Sequence, residues 1–363
     1  KKNRSAMTAG VILIFLILMG ITAPFLSPYD PNIAGRDADY QNGAPQIPKF
    51  WDENGFSFRP FIYTYTRERS AATNFRWESK VDRDARRFVE LFVTGWEYHV
   101  IDMGLDMPGK TFDFKFQLFK SNTHLFGVNE GGIHLFGTDK PGKDIFSRTL
   151  HAIYTSLAVG TIGVVISFVL ALIIGGVSGY FGGKIDSVLQ MITDAVRTVP
   201  AIPLFMAMAA FVPDEWSAEL RFFFISIILG LIGWPTLARR VRTHLLTERS
   251  QEYVLAAQLC GANASHVIRR HLLPSFTSYI IVDLVISFPY MVLSETALSF
   301  IGLGLKDPVN SLGVMLQSVT KADVLLNYQW YFIPVIFFMA LVLAFVFVGD
   351  GLRDAADPYS DHK

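Results

Sequence analysis

Six stretches of this chain run without charge, or nearly so, for long enough to cross a lipid bilayer, and they constrain the fold more than any other feature. A spanning helix needs about 20 apolar residues to cross roughly 30 Å of hydrocarbon. Thr8 to Tyr29, Ala152 to Gly183 and Thr198 to Val212 are the first three, the third entered from near Ile185. Phe222 to Ala238, Phe276 to Ser294 (interrupted by Asp283) and Tyr331 to Val348 complete the set. Lys1, Lys2 and Arg4 precede the first run as they would in a signal peptide. That run is long for such a peptide and no small-residue cleavage site follows, so a retained helix is expected. Reading starts at Lys1 and not at a methionine, which leaves an upstream start open. The expected fold class is an all-α polytopic membrane protein with six transmembrane helices.

Composition agrees. Charged residues make up 18% of the 363, where soluble domains carry about 25%. Formal net charge is zero, so no global basic field recruits nucleic acid. Cys260 is the only cysteine, which excludes an intrachain disulfide, a zinc finger and a Cys-x-x-Cys redox pair.

Orientation follows from Lys and Arg in the short flanks. With the N-terminus inside, the inner segments hold Arg4, Lys184, Arg197, Arg239, Arg240, Arg242, Arg249, Arg269, Arg270 and Arg353, among others. The short outer loops hold only Arg221, Lys306 and Lys321. Both termini are therefore expected in the cytoplasm, with residues 30–151 outside as an inserted domain and 239–275 as a long inner loop. Phe112, Phe114, Phe116 and Leu118 alternate with polar residues as in a half-buried strand, and Phe61, Tyr63 and Tyr65 do so more weakly. Val81, Ala85, Phe88, Val89 and Phe92 recur at helical spacing. The insert is thus expected to be a small α+β extracytoplasmic domain.

Catalytic signatures are missing from the sequence. There is no His-Glu-x-x-His, Gly-x-Ser-x-Gly or Walker A loop. Gly132 and Gly137-Thr138 share part of the Walker spacing but lack its lysine, and Ser178 stands where the first glycine before Lys184 belongs. No catalytic, cofactor or metal residues are expected. His266 and His271 are five apart and are not expected to share a helix face. Gly175, Gly179 and Gly183 strip one helix face, for tight packing or for a sliding gate. Asp283 falls about 13 Å into its helix. Intramembrane carboxylates face an interior or a water path, so Asp283 and Glu295 are candidates for the translocation path, with hydrogen-bonded packing as the alternative.

The inner loop carries the strongest signal. Glu252 to Cys260 favours helix, Gly261 breaks it, Asn263 or Ser265 caps a second helix, and Pro274 marks the approach to the fifth span. Two bent amphipathic helices on the inner face are expected to make a docking surface for a soluble partner, with a structured loop that has no partner as the alternative. Glu252-Tyr253-Val254-Leu255-Ala256-Ala257, then Gly261, then Arg270-His271-Leu272-Leu273-Pro274 resembles the EAA loop of binding-protein-dependent ABC importer permeases. The Arg-His-x-Leu-Pro part looks like the dipeptide and oligopeptide branch. Leu255 stands at the motif glutamate, His271 at its isoleucine, and Ser275 where that branch commonly has Asn. Four further blocks agree: Leu135 to Arg148, Gly179 to Pro200, Glu295 to Gly304, and Gly349 to Asp354 with Asp357-Pro358. The enlarged insert is the departure, and it resembles the Yej-type subset of the branch.

The resemblance implies a type I ABC importer permease fold with its core at 152–350, preceded by 1–29 and followed by a tail at 351–363. It implies a bacterial plasma (inner) membrane location, a second permease subunit, two ABC ATPase subunits that bind ATP and Mg, and an extracytoplasmic peptide-binding protein. Glu252, Tyr253, Ala256, Ala257, Gly261, Arg270, His271, Leu273 and Pro274 are the implied ATPase-coupling residues. A branch relative importing nickel or another solute is the alternative. Two readings from other classes stay open. One is an intramembrane enzyme using Asp283 and Asp194, and the other is a structural subunit of a sensory complex. The insert either docks the binding protein or packs against the partner permease.

Overall fold

The computed structural model describes residues 4–33, 40–53, 55–69, 77–106, 113–129, 131–213 and 216–356. Lys1, Lys2, Phe112, Asp357 and Pro358 lie outside these ranges. The first apolar run forms α1 (Arg4–Ile21) and a short α2 (Ala23–Leu26). The second forms α3 (Ile145–Phe181), a helix of 37 residues and about 55 Å, longer than the roughly 30 Å of hydrocarbon. The fourth to sixth lie in α6 (Ala218–Glu248), α10 (Thr277–Phe300) and the last helix, Ile333–Ala356. Among the described residues, five helices are long and apolar enough to cross a membrane, or up to six if one bent pair counts as a span.

That bent pair is the third run. It is no straight helix: α4 (Gly183–Thr198) and α5 (Ala201–Ala209) meet at 84°. Pro200 lies between them, lacking the N–H that a continued helix needs. The nine residues of α5 reach only about 14 Å. The expected small-residue stripe is also cut short. A Cβ on Gly175 would lie 2.4 Å from the Ala238 carbonyl oxygen, and one on Gly179 would lie 2.7 Å from that of Arg242. These two glycines therefore let α3 and α6 touch backbone to backbone. Gly183 meets nothing within 4 Å and has φ +57, so it serves the turn into α4 instead.

The insert corrects the α+β expectation. Its described residues form β1 (Lys49–Asp52), β2 (Gly55–Arg69), β3 (Trp77–Phe88), β4 (Glu90–Asp106) and β5 (Asp113–Gly127), with no helix among them. β1-β2-β3 make one antiparallel sheet and β4-β5 a hairpin. Of the helically spaced residues, Val81, Ala85 and Phe88 lie in β3 and Phe92 in β4, with Val89 between the two strands. Their partners are remote in sequence: Phe88 pairs with Phe61 and Arg86 with Tyr63 across a bulge. Arg86 also covers the Phe61 ring at 5.0 Å and forms an ion pair with Asp52. Cross-strand packing that buries Phe61 and Ile62 overrides the local period. Phe114, Phe116 and Leu118 do lie in a strand, paired with Leu105, Met103 and Ile101.

A polar collar joins the insert to the bundle. Asp144 caps α3, accepting from the Ser147 backbone N–H at 2.7 Å, and it faces His134 Nδ1 at 3.0 Å. Arg148 bonds Asp139 and reaches Asn310 Oδ1 at 2.7 Å, while Lys143 donates to Asp307 at 2.9 Å. Burial pushes the Asp139 carboxyl up, and Arg148 and Lys143 oppose it. Thr138 takes the Gly43 N–H at 2.8 Å, so the partial Walker spacing builds a packed turn. α3 begins at Ile145, inside the segment assigned to the insert, because its cap is Asp144.

Candidate functional site: the inner loop and the cavity above it

The inner loop begins where α6 ends. Glu252–Leu259 form α7, closed by a Schellman turn. The Ala262 N–H reaches the Ala257 carbonyl at 3.1 Å and the Gly261 N–H reaches that of Gln258 at 2.9 Å. Gly261 sits at the left-handed position with φ +85, where L-residues other than Asn and Asp are strained. Asn263, as expected, caps the next helix: its Oδ1 accepts from the His266 N–H at 2.9 Å. That helix is α8 (Ala264–Val267). It widens into a π-helical turn, Ile268–Leu272, before α9 (Leu273–Ser275). Pro274 cannot donate to the Arg270 carbonyl and crowds it, which favours a loosened turn just upstream.

The π turn overturns one expectation. Residues five apart share a face of such a turn, and the His266 and His271 rings lie 5.7 Å apart. With Tyr253, Ala256, Ala257 and Cys260 they line an open cup on the loop surface. Val254, Val267 and Leu272 point the other way, each fully buried against Val241 and Leu245 of α6. Each such burial contributes about 1.5–3 kcal/mol, so the loop is a fixed platform. The Tyr253 hydroxyl donates to Glu248 at 2.8 Å. Partial burial, together with that bond, pushes its phenol up.

Of the expected coupling residues, Tyr253, Ala256, Ala257, Gly261 and His271 meet around the cup. Glu252, Arg270 and Pro274 are exposed elsewhere on the loop, and Leu273 is half-buried. Among the described residues neither Arg269 nor Arg270 has a carboxylate partner. Cys260, Asn263 and His266 also line the cup and were missed. Their signal was adjacency to Gly261, which fixes where the chain turns.

Above the loop, a ladder of ion pairs ties α6 to its neighbours. Arg239 pairs with Asp194 of α4, Arg240 with Asp283 of α10 and Arg242 with Asp186 of α4. The last is bidentate, with Nη2 2.5 Å from Oδ2, and Ser178 also donates to this carboxylate. Arg242→Ala is expected to lower stability by about 1.5–3 kcal/mol, because it leaves a mostly covered carboxylate without its partner. Thermal unfolding in detergent measures this. The exchange Asp186→Arg with Arg242→Asp should recover part of the loss, and no recovery would mean that the two side chains act separately.

The two intramembrane carboxylates part company. Asp283 is held by Arg240, which itself lines a cavity of about 440 Å³ between α3, the α4–α5 break, α6 and α10. Glu295 is fully buried and reaches no surface. It accepts from Ser299 Oγ at 2.8 Å and Ser156 Oγ at 3.3 Å, and Ser156 in turn takes the Leu312 N–H at 3.2 Å. In this structure Glu295 ties α3, α10 and the segment after it, which is the arrangement of the packing alternative. Asp194 and Asp283 are each taken by a different arginine, so they form no catalytic pair.

The described residues thus form a helical bundle with a polar collar at one end, a platform loop at the other and a cavity between them, and the family match gives its class as a membrane permease. Residues 145–360 match the family described as binding-protein-dependent transport system inner membrane component, and the chain belongs to that family. Residues 1–45 match the N-terminal TM domain of oligopeptide transport permease C. The chain is 36% identical over 240 residues to the dipeptide transport system permease protein DppC of Bacillus subtilis, covering 66% of this chain and 69% of that one. It is 35% identical over 239 residues to the oligopeptide transport system permease protein OppC of the same organism, covering 66% and 72%. The structure also overlays on a chain of the MetNI methionine ABC transporter with TM-score 0.46 and 19% identity, over 58% of this chain and 96% of that one.

Proposed function

We propose that this chain is one permease subunit of an ATP-driven importer of peptides. It pairs with a second permease, stands over two ATPase subunits that bind ATP and Mg, and receives substrate from an extracytoplasmic peptide-binding protein. The inner loop is the coupling element and both termini are cytoplasmic. The observation that carries this reading is the loop itself: one face is locked into the bundle by Val254, Val267 and Leu272, and the other offers a small-residue cup. A rigid loop with a shallow, accessible surface passes a push from a soluble motor to the spans. The peptide substrate rests on the named relatives of the dipeptide and oligopeptide branch.

The test is gentle purification from native membranes, with identification of the accompanying chains and assay of ATP hydrolysis. Two ATPases, a second permease and hydrolysis stimulated by peptide with its binding protein are expected. A chain that purifies alone and without hydrolysis, under conditions that keep related complexes intact, would overturn the proposal.

A further inference from the structure

The cavity between α3, the α4–α5 break, α6 and α10 is charged with one sign. Arg197 and Arg240 line it, together with Ser167, Thr236, Ser287 and Tyr290, and no carboxylate among the described residues does. The two arginines are not equivalent. Arg240 is neutralised by Asp283, just as its neighbours Arg239 and Arg242 are taken by Asp194 and Asp186. Arg197 meets no carboxylate among the described residues. Its place in the last turn of α4 suits the helix dipole, which explains a cation there but not one turned to a cavity. The opposite walls, including Phe205, Ile232 and Met291, are apolar, and Arg197 itself is exposed and open to a passing group. The cavity thus presents one uncompensated guanidinium, at the bend where α4 gives way to α5.

We propose that Arg197 is a specificity-determining residue of the passage, pairing with a carboxylate of the moving peptide. A guanidinium fork matches a carboxylate in bidentate geometry, and with Arg240 already neutralised a single anion balances the site. A cationic side chain in the same place meets an unpaired like charge, which disfavours it. The inference rests on the peptide reading above.

The experiment uses the whole complex in proteoliposomes with its binding protein, ATP supplied to the ATPase side. Two peptide pairs are compared, each matched in affinity for the binding protein. One pair differs by Glu or Lys at a central position, the other by a free or an amidated C-terminus. Arg197→Gln is expected to lower the uptake ratio of the anionic to the non-anionic member by about tenfold in at least one pair. The pair that responds identifies the side-chain or the terminal carboxylate as the ligand. Arg197→Lys should keep most of the preference and Arg197→Glu should invert it. Equal loss for both members, or no change in either ratio, would overturn the assignment while leaving peptide import intact. A wild-type complex that imports none of the peptides overturns both readings.

Discussion

Gly261→Leu is expected to leave the chain in the membrane at near-normal levels and to abolish uptake. The reason is local. Gly261 is exposed, has φ +85, and a Cβ there would meet nothing within 4 Å, so the bundle can still assemble. What it strains is the backbone. A branched L-residue held in this region costs about 1–3 kcal/mol, and the chain relieves that cost by opening the Schellman turn between α7 and α8. The cup then loses its shape, because Ala256, Ala257 and Cys260 lie on one side of the turn and His266 and His271 on the other. Gly261→Asn is the control, since Asn enters this region several-fold more readily than other L-residues. It should retain most of the uptake that the Leu variant loses. Membrane levels, co-purification of the ATPase subunits and peptide uptake are measured side by side. Normal transport by the Leu variant would mean that this turn does not carry the coupling.

The elements that could be read beforehand are those whose cause is local. Long apolar runs become spanning helices because lipid leaves them no alternative, and Gly261 and Asn263 act through bonds within a few residues. What could not be read depends on remote partners. The Val81 to Phe92 period is helical in isolation, and its strand form depends on Phe61 and Tyr63, which pair with Phe88 and Arg86. The break at Pro200 was hidden inside an apolar run, since hydropathy does not register an 84° bend. His266 and His271 were separated by assuming 3.6 residues per turn, and the π turn before Pro274 changes that count. Asp283 and Glu295 resembled each other in sequence as lone carboxylates in one helix. Only the fold reveals that Arg240 meets the first and that a cage of hydroxyls encloses the second. Arg197 and Arg240 served to orient the chain, and nothing in their flanks pointed to a shared cavity.

If the inner loop is coupled to the cavity as proposed, α3 and α6 must move together, and adjacent glycines test this. Gly175 and Gly176 both lie inside α3, so changing either to Ala gains about 1 kcal/mol of helix propensity. Their surroundings differ. A Cβ at Gly175 would stand 2.4 Å from the Ala238 carbonyl oxygen and 3.0 Å from Val241 Cβ, whereas at Gly176 its nearest neighbour is Ile268 Cγ2 at 4.0 Å. The atom in the way at Gly175 is backbone, which cannot rotate aside, so overpacking costs about 1–3 kcal/mol. Gly175→Ala should therefore lower the Tm of the detergent-solubilised complex, and Gly175→Leu should fail to accumulate in the membrane. Gly176→Ala should leave Tm unchanged or raise it. Ala238 lies one turn before Arg242, whose carboxylate partner Asp186 sits on α4, so parting the helices at Gly175 also pulls on the ion-pair ladder. Uptake by Gly175→Ala should for that reason fall further than its stability does. If the two Ala variants melt alike, close approach of α3 and α6 is not what Gly175 provides, and the loop must reach the cavity by another route.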